Sequence, residues 1–425
     1  MRIGIIIGRI GDVDGVALET EKWIKVLRRM GHDIYILSGR FRDHVVGPER
    51  ETLLSTLSFF SPECEWEQNR AFFYPNPDPG ELTFHLEKAS VRVARRIFRW
   101  VLQNKIQMII SENASALPCH LSMGLGIKKA LEIMDIPVIT HDHDFYWERG
   151  DRYKTPHKSI QKMITESFPL RLPHVKHAVI NSYSQNAMKE RFGRDSMVIP
   201  NVMDFSEPYG VKDSYNRDLL KELKFEKDAI PLFQITRIVK RKGIEVAIEL
   251  VHRLQDQRFK LVITGSFADD ERKGYYLELK NYIRQHRLGK QVIFGHKRIL
   301  SERGLTYHKK KIYSLSDAYA NAAACTYFST YEGFGNAFVE CVLAKKPIFV
   351  NNYKPVYWPD IGSLGFKTVQ LEDNQLTDAA VSEISDILGK PKLQKEVVEH
   401  NYQLGKQYFS LDVLEEKLEQ LIGSF

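Results

Sequence analysis

Short apolar runs alternate with longer amphipathic stretches along most of the chain, a pattern typical of β-strands that alternate with α-helices. Residues 3–7 form the first apolar run, apolar positions at helical spacing follow over residues 17–30, and residues 33–37 form the next run. Strands that are buried on both faces appear as continuous apolar runs rather than as alternating ones. The pattern therefore predicts a mostly parallel sheet that is covered by helices on both faces.

The same alternation restarts in the second half of the chain. Further strands are predicted at 107–110, 137–140, 177–181 and 196–199 in the first half, and at 232–236, 260–264, 291–294, 323–328 and 347–350 in the second. A polar segment at 206–230, predicted to be rich in helix, lies between the two series. We therefore predict an α/β protein with two Rossmann-like domains that face each other across a cleft. Ligands of such parallel sheets bind at the carboxyl ends of the strands.

Length and composition fit two globular domains. The chain has 425 residues, of which 43% are hydrophobic and 27% are charged, which excludes disordered, collagen-like and disulfide-scaffold proteins. The formal net charge of +7 slightly favours an anionic ligand. The longest basic runs, at 240–242 and 309–311, are too short for a nucleic-acid-binding tail, so no nucleic-acid partner is predicted.

The cysteines and the N-terminus predict a cytoplasmic location. Cys64, Cys119, Cys325 and Cys341 lie far apart and without the spacing of a metal site, which favours a reducing compartment. The first apolar run has the length of a strand and no cleavage site follows it. No window reaches the roughly 18 apolar residues that a membrane-spanning helix needs. Contact with a membrane surface stays open, and the sequence does not specify an oligomeric state.

The most specific chemical motif spans residues 329–344, where a predicted strand leads into a helix. Gly333 and Gly335 predict a tight turn, and the helix is predicted to begin at about Asn336. Backbone N–H groups and the positive end of the helix dipole at such a turn bind a phosphate or diphosphate. Glu332 and Glu340 flank the turn and can accept hydrogen bonds from sugar hydroxyls. The competing interpretation is that the glycines only permit the turn and that both glutamates are solvated.

A second motif follows the first predicted strand of the second half. Arg237 lies at the end of that strand, and Lys242 and Gly243 follow within six residues. Two cations at a strand end hold a diphosphate through charge-assisted hydrogen bonds, with arginine as a fork and lysine as a point charge. The alternative is an exposed basic loop without a ligand.

The loop at residues 8–16 also follows a strand and precedes a helix. It matches neither the dinucleotide-binding motif nor the P-loop motif, so neither cofactor class is supported. Gly15 would let the backbone approach a phosphate, and a simple tight turn is an equal alternative.

Two histidines and two aspartates at residues 141–144 follow the predicted strand at 137–140. Their position at a strand end, where ligands bind, favours a functional role over a structural one. Tyr146 and Trp147 are suited to stack on a sugar ring. A His-x-His pair also has a metal-binding spacing, but the sequence shows no third ligand, and we predict no metal.

These residues together resemble the retaining glycosyltransferases of the two-domain GT-B fold, family 4, over nearly the whole chain. Glu332 to Glu340 resembles the E-x7-E signature of that family, and Arg237 to Gly243 resembles its Arg…Lys-Gly motif. Residues 199–204 resemble its "PNGVD" interdomain stretch, with Val202 in place of the usual glycine. Residues 408–410 and the helix after them resemble the segment that crosses back to the first domain.

The resemblance implies an acceptor-binding domain at residues 1–204, a nucleotide-sugar-binding domain at 205–407 and a C-terminal helix at 408–425. It also implies that Arg237 and Lys242 hold the diphosphate of the donor. The turn completes that site, Glu340 binds the ribose and Glu332 contacts the transferred sugar. We assign base selection to the segment around residues 296–299. The donor-binding residues are therefore predicted to be Gly15, Arg237, Lys242, Lys297, Glu332, Gly333, Phe334, Gly335, Asn336, Ala337 and Glu340.

The position of the catalytic histidine in the family selects His143, which would hydrogen-bond the sugar or support the developing charge through its carbonyl group. The resemblance implies that His143, Glu332, Arg237 and Lys242 are the catalytic residues, without a protein nucleophile or a required cofactor. An oxygen of the departing diphosphate would accept the proton of the acceptor, which retains the configuration. The donor would be GDP-mannose or UDP-glucose.

The acceptor is less defined than the donor. Residues 141–149 resemble enzymes that make glycosylated glycerate solutes, and this implies a small anionic acceptor. Its charge would pair with Arg149 or Arg152. The acceptor-binding residues are predicted to be His141, Asp144, Tyr146, Trp147 and Arg149.

Other functions compete with this prediction. A lipid-linked or polysaccharide acceptor at a membrane surface would suit the basic stretch at 91–101, which contains four arginines and Trp100. Two Asp-x-Asp motifs, at 12–14 and 142–144, would suit a metal-dependent transferase of the other common fold. A sugar-nucleotide epimerase or a non-catalytic binding protein would keep the same diphosphate site.

Overall fold

The computed structural model describes residues 1–11, 14–267 and 274–425. The described chain divides into two compact units. Unit 1 comprises Met1–Val202 and Leu411–Phe425, and unit 2 comprises Met203–Ser410. The roles implied for the two domains remain predictions.

Unit 1 contains a parallel sheet whose described strands are β1 (Arg2–Ile7), β2 (Asp33–Ser38), β3 (Glu51–Leu53), β4 (Met108–Glu112), β5 (Val138–Asp142), β6 (Val175–Val179) and β7 (Ser196–Val198). Their order in the sheet is β3-β2-β1-β4-β5-β6-β7. The order reverses between β1 and β4, and such a reversal opens a crevice at the carboxyl ends of the two strands. The sheet therefore directs the loops after β1, β4 and β5 to one edge.

Helices cover both faces of this sheet. Their buried apolar residues and those of the strands form two separate clusters, one on each face. They are α1 (Gly15–Arg29), α2 (Pro62–Gln68), α3 (Gly80–Asn104), α4 (Leu121–Leu131), α5 (Lys158–Ser167) and α6 (Ser182–Phe192). Short 3₁₀ turns lie at Pro48–Arg50, Ser55–Leu57 and Tyr146–Arg149, and a single π turn follows α2 at Asn69–Phe73. Local sequence sets the helix ends: Ser61 caps α2 ahead of Pro62, and Gly193 ends α6 with a φ of 62°.

Unit 2 repeats the arrangement with a sheet of β8 (Ile230–Gln234), β9 (Phe259–Ile263), β10 (Val292–Phe294), β13 (Ala324–Tyr327), β14 (Ile348–Asn351) and β15 (Val369–Leu371), in the order β10-β9-β8-β13-β14-β15. Between β10 and β13 in the chain, β11 (Gly304–Leu305) and β12 (Lys311–Ile312) form a separate antiparallel hairpin. The order reverses between β8 and β13. The loops after these two strands therefore border the second crevice.

The helices described in unit 2 are α7 (Leu219–Glu222), α8 (Ile244–Arg253), α9 (Gly274–Gln285), α10 (Leu315–Asn321), α11 (Asn336–Leu343), α12 (Tyr357–Asp360), α13 (Asp378–Gly389) and α14 (Pro391–Phe409), with 3₁₀ turns at Lys240–Lys242 and Gly362–Leu364. The last helix, α15 (Leu411–Gly423), returns to unit 1, where Leu411, Leu414, Leu418 and Leu421 are buried in its core. The leucine spacing in the sequence predicted this apolar face.

The α/β fold with two parallel sheets is confirmed, and every strand predicted from an apolar run overlaps a strand of the structure. The expectation of a helix-rich segment at 206–230 is wrong, since α7 is its only helix and all of its residues are described. Asp213 and Asn216 instead hydrogen-bond the local backbone, and Gly210 has a φ of 63°. No helix in the described ranges is long and apolar enough to cross a bilayer.

Candidate active site

The turn from β13 into α11 requires glycine at its last position. Gly335 has a φ of 133°, and a Cβ atom there would lie 2.2 Å from the hydroxyl oxygen of Tyr353. That hydroxyl donates to the carbonyl oxygen of Phe334 at 2.8 Å and fixes the turn. Among the described residues no side chain caps α11. Its N-terminus therefore presents a positive dipole end at the crevice beside β8 and β13.

A charged group of three side chains lies next to this turn, and we call Arg241, Lys242 and Glu332 the Glu332 network. Arg241 Nη1 lies 3.0 Å from Glu332 Oε2, and Lys242 Nζ forms an ion pair with Glu332 Oε1. Arg241 also donates to the Tyr331 carbonyl oxygen at 2.8 Å. The backbone of Thr330 donates to the Arg241 carbonyl oxygen at 2.8 Å. The loop after β8 and the loop after β13 are thus fixed to each other.

Glu332 is ionised in this network. Burial alone would raise its pKa, but Lys242 and Arg241 outweigh burial, and the pKa of Glu332 lies below its usual value. Lys242 and Glu332 are only 8% and 9% exposed, so each needs the other as a partner. The sequence predicted separate roles for these two residues and did not predict that they contact each other. Arg241 was missed, because it lies within a basic run that also fits a solvated loop.

The other predicted donor residues of unit 2 differ in their surroundings. Arg237 is exposed. Burial is the main cause that lowers the pKa of Lys242, and the charge of Arg237 is near enough to lower it slightly further. Glu340 is half-buried and accepts a hydrogen bond from the Tyr319 hydroxyl at 3.0 Å. Lys297 lies in an exposed turn after β10. The structure thus brings Arg241 and Lys242 together with the loop that precedes α11, and the place of Lys297 in the donor site stays a prediction.

In unit 1, the adjacent strands β4 and β5 bring Glu112, His141 and His143 together, and we call these three residues the histidine cluster. Glu112 pairs with His141 in the strand register. The Nδ1 atom of His141 lies 3.0 Å from Glu112 Oε2, and the Nε2 atom of His143 lies 3.9 Å from the same oxygen. The ring of His141 stacks on Trp23 at 4.0 Å. The sequence missed Glu112, although its position at the end of β4, beside the histidine strand, was available as a signal.

Burial holds the histidine cluster in neutral forms. It raises the pKa of Glu112 to about 8, against smaller opposing effects of His143 and Thr20. It lowers the pKa of His141 to about 3 and that of His143 to about 3. At neutral pH a protonated Glu112 therefore donates to His141, and His143 is an uncharged imidazole. The Nε2 atom of His143 is buried without a hydrogen-bond partner among the described residues, so it can bind a sugar hydroxyl.

The loop after β5 holds His143 through its backbone. Asn113 accepts from the His143 amide at 3.1 Å and donates to Asp144 at 3.2 Å. Asp144 in turn forms an ion pair with Arg149. Trp147 stacks on Phe145 at 4.6 Å, inside a small apolar cluster that also contains Tyr146. The two predicted sugar-stacking aromatics thus already pack within unit 1, and a contact with sugar stays a prediction.

The loop before α1 has a cap of its own. The Asp14 carboxylate accepts from the backbone N–H groups of Val16 and Ala17 at 3.1 and 3.2 Å, and it pairs with Arg9 at 2.9 Å. A ligand anion near Gly15 would compete with this carboxylate. The Asp-x-Asp motif at 12–14 includes residues 12 and 13, which lie outside the described residues.

Glu112 provides a third possible metal ligand beside His141 and His143, which the sequence did not show. One ligand atom from each residue of the histidine cluster lies within 4.8 Å of the others. A carboxylate and two imidazoles suit zinc. The hydrogen bond between Glu112 and His141 and the neutral forms of all three groups also account for their burial without a cation. The absence of a metal therefore stays a prediction.

Comparisons with known proteins identify the family. A family model for glycosyl transferases, group 1, matches residues 216–404. The mannosylglucosylglycerate synthase of Thermotoga maritima is 32% identical to this chain, and the alignment covers 98% of this chain and 99% of that protein. The chain belongs to the group 1 glycosyltransferases. A second relative of the same name, from Petrotoga mobilis, is 32% identical over 87% of this chain and 86% of its own length.

Solved structures agree with the predicted GT-B fold of this glycosyltransferase. The sucrose-phosphate synthase from Thermosynechococcus elongatus has a TM-score of 0.64 at 14% identity, over 100% of this chain and 98% of that one. Anabaena HepE, solved in complex with UDP and glucose, has a TM-score of 0.62 at 14% identity, over 100% of this chain and 99% of that one. The predicted GT-B fold and the prediction of a group 1 glycosyltransferase are confirmed, whereas family 4 and retention of configuration stay predictions.

The protonation of Glu112 predicts how the stability of this glycosyltransferase depends on pH. The folded state holds a proton on Glu112 up to about pH 8, whereas an ordinary glutamate releases it near 4.5. The free energy of unfolding should therefore fall as the pH rises between these values, by up to about 1.4 kcal/mol per pH unit. Glu112→Gln should reduce this slope, as measured by urea unfolding between pH 6.5 and 8.

The slope should decrease rather than vanish, because burial also raises the pKa of Asp142 to about 7. Glu419→Gln changes an exposed carboxylate on α15 and should keep the slope of the wild type. An unchanged slope in Glu112→Gln would show that Glu112 is ionised in the folded state.

Proposed function

We propose that this glycosyltransferase moves a hexose from a nucleoside-diphosphate sugar to a hydroxyl group of a glycerate-type acceptor. Unit 2 binds the donor and unit 1 binds the acceptor. The reaction retains the configuration of the anomeric carbon and needs no metal ion in the chemical step. The epimerase alternative has less support, because the chain belongs to a transferase family.

The donor side rests on the cations and the helix terminus of unit 2. Arg237 is exposed and near Lys242, and the N-terminus of α11, which no side chain of the described residues caps, follows Glu332 in the same loop. A diphosphate at this place gains charge-assisted hydrogen bonds from both side chains and from the helix N-terminus. Glu340, held by Tyr319, is suited to accept from ribose hydroxyls. HepE was solved with UDP-glucose, which supports a nucleotide sugar as donor, and GDP-mannose or UDP-glucose are the proposed choices.

The acceptor side rests on the relatives and on the charge of unit 1. Two relatives that are 32% identical are called mannosylglucosylglycerate synthases, and their name contains a glycerate. A glycerate is a small carboxylate, and Arg149 and Arg152 follow the histidine cluster in sequence. These observations support an anionic acceptor that binds beside His143.

The proposed reaction is a direct exchange at the anomeric carbon. The acceptor oxygen forms a bond to that carbon while the bond to the β-phosphate oxygen breaks. The proton of the acceptor hydroxyl passes to the leaving phosphate oxygen on the same face of the sugar. Arg237, Lys242 and the α11 N-terminus stabilise the negative charge that develops on the diphosphate. His143 orients the sugar through its neutral imidazole.

The observation that carries the proposal is the Glu332 network. It holds a buried lysine beside an exposed arginine at the strand reversal of unit 2, where parallel sheets bind ligands. Glu332 balances Lys242 before the donor binds and can then contact the sugar hydroxyls. The network thus combines a diphosphate site and a sugar contact in one place.

Removal of Arg237 tests the donor site. Arg237→Ala should weaken the binding of the productive nucleotide sugar by about 10- to 100-fold, because hydrogen bonds to charged groups contribute about 1.5 to 3 kcal/mol. Titration calorimetry with GDP-mannose, UDP-glucose, ADP-glucose and UDP-N-acetylglucosamine measures the effect. Arg258→Ala is the matched control. Arg258 pairs with Asp256 at 2.7 Å and directly precedes β9, so it lies at the amino ends of the parallel strands, away from the proposed site at their carboxyl ends. Equal affinities in Arg237→Ala and Arg258→Ala would exclude the proposed site.

The stereochemistry and the metal requirement are tested in one reaction. With an α-linked donor, proton NMR of the first product should show an α-linked sugar, and excess chelator should leave the rate unchanged. A β-linked product would contradict retention. Loss of activity in chelator, restored by one divalent cation, would assign a metal to the reaction.

A lipid-linked acceptor is the second candidate, and a groove between α3 and α4 favours it. The groove has a volume of about 710 Å³, and apolar side chains such as Phe98, Leu102 and Ile133 line it beside Arg95 and Arg99. Leu102 and Ile133 are 61% and 77% exposed. An apolar groove with basic neighbours suits an anionic lipid surface.

Trp100 cannot take part in this contact, although it lies in the stretch considered for it. Trp100 is 3% exposed, and its ring packs against Gly4 of β1. If the lipid candidate is right, the protein should co-sediment with vesicles of anionic phospholipid, and Phe98→Ser with Leu102→Ser should abolish this. An unbound wild type would leave the glycerate-type acceptor as the better proposal.

A further inference from the structure

Arg152 has an unusual environment for a charged side chain. Its guanidinium lies 4.2 Å from the ring centre of Phe73 and 4.9 Å from that of Tyr153. One nitrogen, Nη2, donates to the neutral amide oxygen of Gln68 at 2.9 Å. The other, Nη1, is shielded from solvent and has no hydrogen-bond partner among the described residues. No carboxylate of the described residues pairs with Arg152, so its positive charge is not balanced by a neighbouring negative charge and its Nη1 atom lacks an acceptor.

Gln68 and the π turn that follows it fix the orientation of Arg152. Gln68 is 6% exposed and donates to the Pro118 carbonyl oxygen at 2.9 Å, so its amide oxygen is held toward the guanidinium. The π turn at Asn69–Phe73 follows directly and carries Phe73 to the same place. Such π turns are rare and occur often at functional sites. A guanidinium held by an amide and two rings loses little freedom when it binds a ligand.

Arg149, the other arginine of this loop, has a partner. It forms an ion pair with Asp144, which also accepts from Asn113 at 3.2 Å. An anion that bound Arg149 would have to displace the Asp144 carboxylate. Of the two arginines that the sequence left open for an anionic acceptor, the geometry favours Arg152.

Arg152 and the loop after His143 border the same apolar cluster of unit 1. Arg152 packs on Tyr153, and Tyr153 belongs to the same cluster as Phe145, which follows His143 by two residues. Burial raises the pKa of Cys119 to about 12, Asp144 raises it further and Arg152 lowers it, which agrees with this placement. Asp144 follows His143 directly, and Asn113 binds the backbone of His143 and the side chain of Asp144. A small acceptor can thus extend from His143 toward Arg152.

We propose that Arg152 binds the carboxylate of the acceptor through its guanidinium, whose Nη1 atom has no partner among the described residues, and that it selects an acidic acceptor over a neutral one. The inference rests on the proposed function, because it assigns a recognition residue to the proposed glycerate-type acceptor. An arginine fork and a carboxylate form two parallel hydrogen bonds, a geometry that a lysine cannot reproduce.

The experiment compares a glycosylated glycerate with its primary carboxamide, which has nearly the same shape and no charge. The ratio of kcat/KM for the acid to that for the amide measures the selection. We expect the wild type to prefer the acid and Arg152→Gln to reduce the ratio by about 10- to 100-fold. Arg152→Lys, which keeps the charge and loses the fork, should give an intermediate ratio. Arg171→Gln is the control, because Arg171 lies 4.0 Å from the ring of Phe192 and is also in unit 1.

The outcomes separate the two proposals. A wild-type ratio in Arg152→Gln would overturn the role of Arg152, while transfer to the acid would still support the proposed function. A wild type that uses no glycerate-type acceptor, acid or amide, would overturn the proposed acceptor itself. If Arg152→Gln does not fold, Arg152→Met preserves the packing on Phe73 and Tyr153 and gives the same test. Thermal melting and donor affinity confirm that each variant is folded.

Discussion

The parallel pairing of β1 with β4 and of β8 with β13 determines where this chain can carry out its chemistry. Neighbouring parallel strands end at the same edge, and a reversal of strand order leaves a crevice there. In unit 2 this constraint joins the loop with Lys242 to the loop with Glu332. In unit 1 it joins Glu112 to the two histidines of the next strand. Both candidate sites therefore follow from the sheets, and loop sequence only selects the side chains.

The two units stabilise buried polar groups in opposite ways. In unit 2 the Glu332 network stays charged, because Lys242 and Arg241 offset the burial of the carboxylate. In unit 1 the histidine cluster is neutral, because the effect of burial on Glu112 outweighs the opposing effects of His143 and Thr20. A charged network suits a site that binds a diphosphate, because negative charge develops on the diphosphate as it departs from the sugar. A neutral imidazole suits a site that orients sugar hydroxyls without attracting the diphosphate.

The sequence predicted the parts of the fold that depend on local patterns. Buried parallel strands such as β1 and β9 are continuous apolar runs, and the leucines of α15 repeat at helical spacing. The edge strands β3 and β15 were missed, since Glu51 and Thr52 in β3 and Gln370 in β15 leave no continuous apolar run. Gly335 and Lys242 were found because their motif is local. The Lys242–Glu332 pair, the contact of Glu112 with His141 and the hydrogen bond of Arg152 with Gln68 join residues that lie 29 to 90 positions apart, which no local pattern contains.

Hydrogen exchange of the backbone with and without the nucleoside diphosphate tests the central claim most directly. The account predicts that GDP or UDP slows exchange at residues 236–243 and 328–340, which form the loop with Arg237 and the turn into α11. Exchange at Val16 and Ala17 should change little, because the Asp14 carboxylate already accepts from both amides. Protection confined to unit 1, with residues 328–340 unchanged, would contradict the assignment of the donor to the Glu332 network.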